Sequence, residues 1–293
     1  MKGKTQRRRY KLTLEFDGSN FSGWQKQADA RTVQGDLLKA ATRVFGVAPT
    51  DIQGCGRTDA GVHALAYVAH LEVASTLPPA EVAGRLNDTL PKDIAVRAVD
   101  LAQSRFHARH NCIARSYLYR LRTRKSAFGK RYDWWIREEL DLAAMRQAAT
   151  AMVGMHDFAS FADTPELKKS TRVLVYGVDI AEADELIEVR VLGSHFLWHM
   201  VRRMVGILVE VGCHRLGEED VRSLLQGPSD IPGRHTAPAA GLFFERAFYE
   251  AGELEQCIGR TPASGTPEER SGDRIGRMTG SDQILPGEAD QQR

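Results

Sequence analysis

Residues 196–211, FLWHMVRRMVGILVEV, are apolar at almost every position. A helix that is apolar on all sides cannot lie on a surface, so the segment predicts a helix from Phe196 to Val211 buried between layers. Such a helix needs a sheet to cover it, and alternating stretches supply the strands: Lys11–Gly18, Ala64–Val73, Ile94–Val99, Arg115–Arg122, Val173–Ile180, Leu186–Leu192 and Gly241–Tyr249. A helix is predicted to start at Thr32, with Val33, Leu37, Ala41 and Val44 at helical spacing and Gly46 near its end. Others are predicted over PPAEVAGRLND, with proline in its first turn, over Asp141–Val153 and over Glu218–Leu225. This order predicts an α+β fold with helices on one side of a sheet, in two halves of similar style. The halves are taken as residues 1–106 and 107–250; beyond about Ala251 the chain turns rich in Gly, Pro, Ser and charge, which predicts a disordered tail over 251–293.

No apolar run approaches the roughly 20 residues that span a bilayer, and MKGKTQRRRYKLTLEF passes into a strand pattern without a signal-peptide core. The expected compartment is the cytoplasm, with no membrane partner. Cys55, Cys112, Cys213 and Cys257 show no CxxC spacing, so they read as reduced structural thiols. The net charge is only +2, but basic residues cluster. One cluster is Lys2, Lys4, Arg7, Arg8 and Arg9. The other runs through Arg105, Arg109, Arg115, Arg120, Arg122, Arg124, Lys125, Lys130 and Arg131, interleaved with Phe106, Tyr117, Tyr119, Phe128, Tyr132, Trp134 and Trp135. Cations mixed with flat rings are what holding phosphates and unstacked bases requires.

GCGRTDAGVH (Gly54–His63) is the best-prepared loop for chemistry, because its glycines let the backbone turn tightly and bring polar side chains close together. It is neither a phosphate-binding GxxxxGK[ST] loop nor a dinucleotide fingerprint, since Asp59 stands where the third glycine of GxGxxG would be. Asp59 is therefore either a turn residue capping local amides or a reactive carboxylate. Arg202 favours the second. It lies in the apolar 196–211 helix with Trp198, Val205 and Val209 at helical spacing, and a charge buried there without a partner costs on the order of 3–5 kcal/mol. Asp59 is the expected partner, kept charged and ready as a nucleophile or base. His195 and His199 are spaced to bind zinc on a helix, but Phe196 follows His195, so HExxH is absent and no metal is expected. His63 reads as a hydrogen-bonded structural residue.

Six segments in order carry a resemblance: FDGSNFSGWQKQ with RTVQG, GRTDAGVHA, ARSYLYRL, HDFASF, FLWHMVRRMVG and TAPAAGL, spanning Phe16 to Leu242. Together they resemble the tRNA pseudouridine synthase A family. Cys55 stands where a small residue such as alanine is frequent, and Trp198 where tyrosine is more usual; neither position is expected to touch the chemistry. The resemblance implies two similar ferredoxin-like (RRM-like) halves forming one continuous, mostly antiparallel sheet, with helices on one face and an RNA-binding cleft on the other. It implies isomerisation of uridine to pseudouridine at positions 38, 39 and 40 of the tRNA anticodon stem-loop, without a cofactor, by a homodimer in which one tRNA contacts both subunits.

The same resemblance places the essential aspartate at Asp59, its pairing arginine at Arg202, a base-stacking tyrosine at Tyr117 and an active-site arginine at Arg57. Arg115, Arg109 and His107 join these as expected RNA contacts on the basic stretch. Asp59 could attack C1′ of the ribose or remove its 2′ proton, and the Tyr117 hydroxyl is a candidate base or relay. The competing reading from another class is a noncatalytic RNA-binding module, whose mark would be loss of Asp59 or of its arginine.

Overall fold

Twice along the chain a strand, a helix, two strands, a further helix and a last strand follow one another, and both sets enter one sheet. The computed structural model describes residues 7–163 and 170–260. The first set is β1 (Arg7–Phe16), α1 (Val33–Phe45), β2 (Asp51–Gly54), β3 (His63–Ala74), α2 (Pro79–Thr89) and β4 (Ile94–Ala102). The second is β5 (Ala114–Arg122), α3 (Leu142–Thr150), β8 (Arg172–Ala183), β9 (Leu186–Gly193), α4 (Met200–Gly212) and β10 (Leu242–Phe248). It is interrupted by β6 (Trp134–Trp135), β7 (Gly154–Asp157), α5 (Glu218–Leu224) and α6 (Ile231–Arg234). The main path of the ten-stranded sheet is β4-β1-β3-β10-β5-β9-β8-β7, with β2 on β3 and β6 on β5. Within each set the spatial order is fourth, first, third, second.

The length of β3 makes the junction possible. Its later residues, Ala69–Glu72, pair with β2, while its first two pair with β10 in parallel, His63 opposite Phe243 and Ala64 opposite Phe244. Apart from β3–β10 and β5–β6, the pairings are antiparallel. Local chemistry sets the element ends. The Thr32 hydroxyl caps α1 by accepting from the Gly35 N–H at 3.2 Å, and Gly46 ends it at φ 69°. On β1, Tyr10, Leu12, Leu14 and Phe16 point inward and are buried.

Three features differ from expectation. β2, β6 and β7 have two to four residues each, too short to leave a periodic signal. The apolar segment from Phe196 is not helical until Met200, because His199 adopts a left-handed backbone at φ 61°. The ordered chain also continues past Ala251 as α7 (Ala251–Arg260), whose Leu254 packs with Ala114, Leu192 and Phe248. The rest of the expected tail lies outside the described residues. No helix among the described residues is long and apolar enough to cross a membrane.

α4 is the buried helix that the composition of 196–211 requires, with Val201, Met204, Val205, Ile207, Leu208 and Val209 enclosed. One face of it rests directly on the backbone at 235–237. A Cβ at Gly206 would lie 1.5 Å from the His235 carbonyl oxygen, and a main-chain oxygen cannot swing aside as a flexible side chain does. Gly206→Ala is expected to cost about 2–3 kcal/mol, lowering the midpoint of thermal unfolding by several degrees. An unchanged midpoint would show that α4 can move off this strip of backbone.

Candidate active site

Backbone pressed on backbone shapes the loop that carries Asp59. Gly23 has φ 87°, and a Cβ there would meet the Thr58 carbonyl oxygen at 2.2 Å; the Trp24 N–H donates to that oxygen at 3.3 Å. Gly61, at φ 80°, donates its N–H to the Phe21 carbonyl at 3.2 Å. Beneath the loop lies an aromatic floor in which Tyr67 packs on Trp24 and Phe244 with ring centroids 4.4 and 5.1 Å away. The Tyr67 hydroxyl donates to the Gly56 carbonyl. His63 closes the segment: Nδ1 accepts from the Gly18 N–H at 3.0 Å, and Nε2–H donates to the Arg131 carbonyl at 2.8 Å. Burial outweighs the nearby Asp17 and pulls its pKa below the usual value, so the ring is neutral. It is a clamp, as its place in the motif suggested.

The opposite half of the chain supplies the groups that face Asp59. Trp198 Nε1–H donates to Asp59 Oδ1 at 3.0 Å. Arg202 Nη1 and His199 Nε2 lie 3.5 and 3.4 Å from Oδ2. Arg202 is itself fixed, donating from Nε to the Ala237 carbonyl at 2.7 Å while its own carbonyl accepts from the Ala237 N–H at 3.1 Å. Behind His199 the contacts continue. Its Nδ1 lies 3.0 Å from Asp163 Oδ2, and Asp163 Oδ1 lies 3.1 Å from Arg203 Nη2. A non-glycine residue at positive φ costs on the order of 1–3 kcal/mol and persists where surrounding contacts over-determine it. Here the left-handed turn at His199 places Trp198 and His199 on the carboxylate while α4 brings Arg202 to it.

The expected pairing of Asp59 with Arg202 is thus present in the geometry, and the Asp59 side chain keeps 23% of its surface open. The expectation for Trp198 is corrected. It is not a buried neighbour of Arg202 on the same helix, and it is not remote from the Asp59 carboxylate; it precedes the helix, stands 58% exposed and donates to Asp59. His199 was not singled out as a partner of Asp59, nor Asp163 as the carboxylate behind His199, because a left-handed residue before a helix has no pattern in an apolar run.

Tyr117, on β5, is buried with its ring set edge-on to Phe196 and Phe244, both centroids 5.2 Å away. Burial, reinforced by Cys55 and by the Asp59 charge against the opposing pull of Arg115, raises its phenol well above the usual value. The hydroxyl is held in its protonated form, in which it can donate.

The other expected contacts divide. Arg57 is exposed and makes no hydrogen bond or ion pair among the described residues. Arg115 is a brace: its guanidinium donates to the carbonyls of Cys55, Cys112, Ser194 and Arg109 at 2.9–3.3 Å, which ties the Asp59 loop to the 194–199 loop and leaves little of its donor fork for a ligand. His107 accepts from the N–H groups of Arg109 and His110 at 3.1 and 3.3 Å and packs on His70; burial depresses its pKa. The Arg109 side chain is exposed, and among the described residues neither it nor His107 has a hydrogen bond or ion pair to Asp59. His195 and His199 lie in the loop before α4 rather than on one helical face. Among the described residues no cluster of three His, Cys, Asp or Glu side chains could hold a metal ion.

A family model described as tRNA pseudouridine synthase matches residues 13–111 and 148–250. The chain is 35% identical over 246 residues to tRNA pseudouridine synthase A 2 of Clostridium tetani, covering 83% of this chain and 99% of that protein. It is 37% identical to tRNA pseudouridine synthase A 2 of Bacillus anthracis, covering 80% of this chain and 97% of that protein. For tRNA pseudouridine synthase A of Zymomonas mobilis the identity is 37%, over 82% of this chain and 99% of that protein.

Coupling across the site can be measured by stability alone. Arg202→Met is expected to cost about 2–3 kcal/mol in unfolding free energy, because it strips Asp59 of a guanidinium and Ala237 of a donor. In an Asp59→Asn background the cost should fall by about 1 kcal/mol or more. Equal costs in both backgrounds would mean that the two side chains are not coupled.

Proposed function

The chain belongs to the tRNA pseudouridine synthase family, and from that premise we propose that it isomerises uridine to pseudouridine at positions 38, 39 and 40 of the tRNA anticodon stem-loop, with Asp59 as the nucleophile. The observation that supports this most is the Asp59 carboxylate itself. Trp198, His199 and Arg202 hold it from one side, its remaining surface is open, and Tyr117 is the nearby aromatic wall.

A stacked uridine hides its glycosidic bond, so the nucleotide must leave the helix at a cost of a few kcal/mol. Stacking against an aromatic ring returns about 1–3 kcal/mol, which is the role assigned to Tyr117. Arg57, without a partner among the described residues, takes a phosphate or the vacated stack. An Asp59 oxygen then attacks C1′ and the C1′–N1 bond breaks, leaving the base with the bonding pair. The freed base turns, and C5 attacks C1′ as the carboxylate departs. Loss of the C5 proton, with a proton gained at N1, restores the aromatic ring, so the product is an isomer of the substrate and no redox partner is consumed. Tyr117, held neutral, serves this sequence as a ring and a hydrogen-bond donor. Trp198 and Arg202 keep the carboxylate aimed and receive it back when it leaves.

The finer fold reading goes with this proposal. The two sets of strands and helices form two ferredoxin-like halves, residues 1–106 and 107–250, whose shared sheet carries helices on one face and an RNA cleft on the other. A cytoplasmic homodimer engaging one tRNA with both subunits, His107 and Arg109 contacting the RNA, completes it.

Asp59→Ala is expected to abolish pseudouridine formation in a tRNA transcript while binding stays within about threefold of wild type; substantial remaining activity would remove Asp59 as the nucleophile. Deuterium at the ribose 2′ carbon should leave the rate nearly unchanged. A large primary isotope effect would instead assign Asp59 to removal of the 2′ proton. For Tyr117→Phe, binding should persist and turnover should drop about tenfold, whereas equal turnover would leave the ring only its stacking role.

A further inference from the structure

The basic, aromatic stretch that the sequence marks from residue 105 to 135 separates in the structure into residues already engaged and residues left over. Arg115 braces backbone carbonyls. Arg120 meets Glu188, Arg122 meets Asp133 and Glu185, and Arg124 meets Glu185. Tyr119 is fully buried, with its hydroxyl on the Pro238 carbonyl. Lys125, Lys130 and Arg131 have no carboxylate partner among the described residues, and all three are exposed. Between them, at the tip of the loop that follows β5, Phe128 is 94% exposed.

The loop is ordered by its own contacts. The Ser126 hydroxyl accepts from the N–H groups of Phe128 and Gly129, and the Gly129 carbonyl accepts from those of Tyr132 and Asp133 at 2.7 and 3.1 Å. Its base rests on the segment that carries Asp59: the Arg131 carbonyl accepts from His63, the Tyr132 ring packs on His63, and the Tyr132 hydroxyl donates to Asp17. A large ring held in water on a preformed loop suits a partner that offers a flat apolar face and needs little further ordering. The cations around it call for negative charge. A protein interface fits poorly, because its core excludes lysine and, among the described residues, Phe128 joins neither hydrophobic cluster and stands in a short run that carries three cations. Nucleic acid supplies both bases and phosphates.

We propose that residues 125–131 form a finger that grips the substrate RNA away from the reacting nucleotide, with Phe128 stacking on a base face and Lys125, Lys130 and Arg131 meeting phosphates. This rests on the RNA-modifying reading of the Asp59 site. The finger is tied to the segment that carries Asp59: Phe128 is three residues from Arg131, Asp59 is four from His63, and the His63–Arg131 hydrogen bond joins the two, so chain reach places the two Cα atoms within about 35 Å of each other. A structured RNA presented to Asp59 can therefore meet both.

The test uses the full-length protein and an unmodified tRNA transcript, with affinity read by fluorescence anisotropy at fixed salt. Phe128→Ala should weaken binding about five- to 150-fold, the range one base–aromatic stack represents. Phe128→Leu should lose nearly as much, and Phe128→Trp should return to within about twofold of wild type. Removing the three charges together (K125Q, K130Q, R131Q) should flatten the slope of log Kd against log salt by about 2, while Phe128→Ala leaves that slope alone. Since Phe128 is almost fully exposed, none of these changes should move the thermal midpoint. If wild type binds and modifies tRNA but Phe128→Ala binds within twofold of it, the finger is wrong and the Asp59 reading stands. If Phe128→Ala instead changes the sedimentation of the protein alone, the tip is a contact between protein copies. If wild type neither binds nor modifies tRNA, both readings fall.

Discussion

A carboxylate that is mostly enclosed needs hydrogen-bond donors in place of the water it has lost. Asp59 finds those donors on the other half of the chain. Its own loop, pressed between Gly23 and the aromatic floor at Trp24 and Tyr67, belongs to the first half, whereas Trp198, His199 and Arg202 belong to the second. Much of the architecture follows from that division. The two-residue parallel seam of β10 on β3 sets the halves side by side. Arg115 ties the Asp59 loop to the loop before α4, and the close approach of Gly206 to the 235–237 strip holds α4 where Arg202 can reach both Ala237 and Asp59.

Much of this was legible in the amino-acid order, for identifiable reasons. Long strands announce themselves by alternation, and Thr32 and Gly46 mark the ends of α1 by capping chemistry that depends on neighbours only. The carboxylate loop was visible because of its glycines, two of which the structure requires: a Cβ at Gly54 would strike the Tyr67 ring, and Gly61 turns at φ 80°. Arg202 stood out because a charge in an apolar run has to be answered somewhere. What did not show was set by tertiary geometry. The left-handed turn at His199 leaves no periodic trace, so Trp198 was placed on the wrong element and its hydrogen bond to Asp59 was missed. β2, β6 and β7 are too short to carry a pattern.

The basic stretch illustrates the same limit from the side of charge. Along the sequence it has almost no acidic neighbours, yet Glu185 and Glu188, roughly 60 residues away, come to lie beside Arg120, Arg122 and Arg124. Linear charge density therefore overstated the cationic surface. Among the described residues, Arg105, Arg109, Lys125, Lys130 and Arg131 are what the subtraction leaves of that stretch, and with the exposed Arg57 they form the small set from which an RNA-facing surface can be argued.

The most direct test of the whole account is a map of pseudouridine in tRNA from cells that express this chain and from cells in which it has been deleted and then restored. The account predicts loss of pseudouridine at positions 38, 39 and 40 of the anticodon stem-loop on deletion, recovery with the wild-type chain, and no change elsewhere. An unchanged map, or loss confined to another region of tRNA or another RNA, would contradict it.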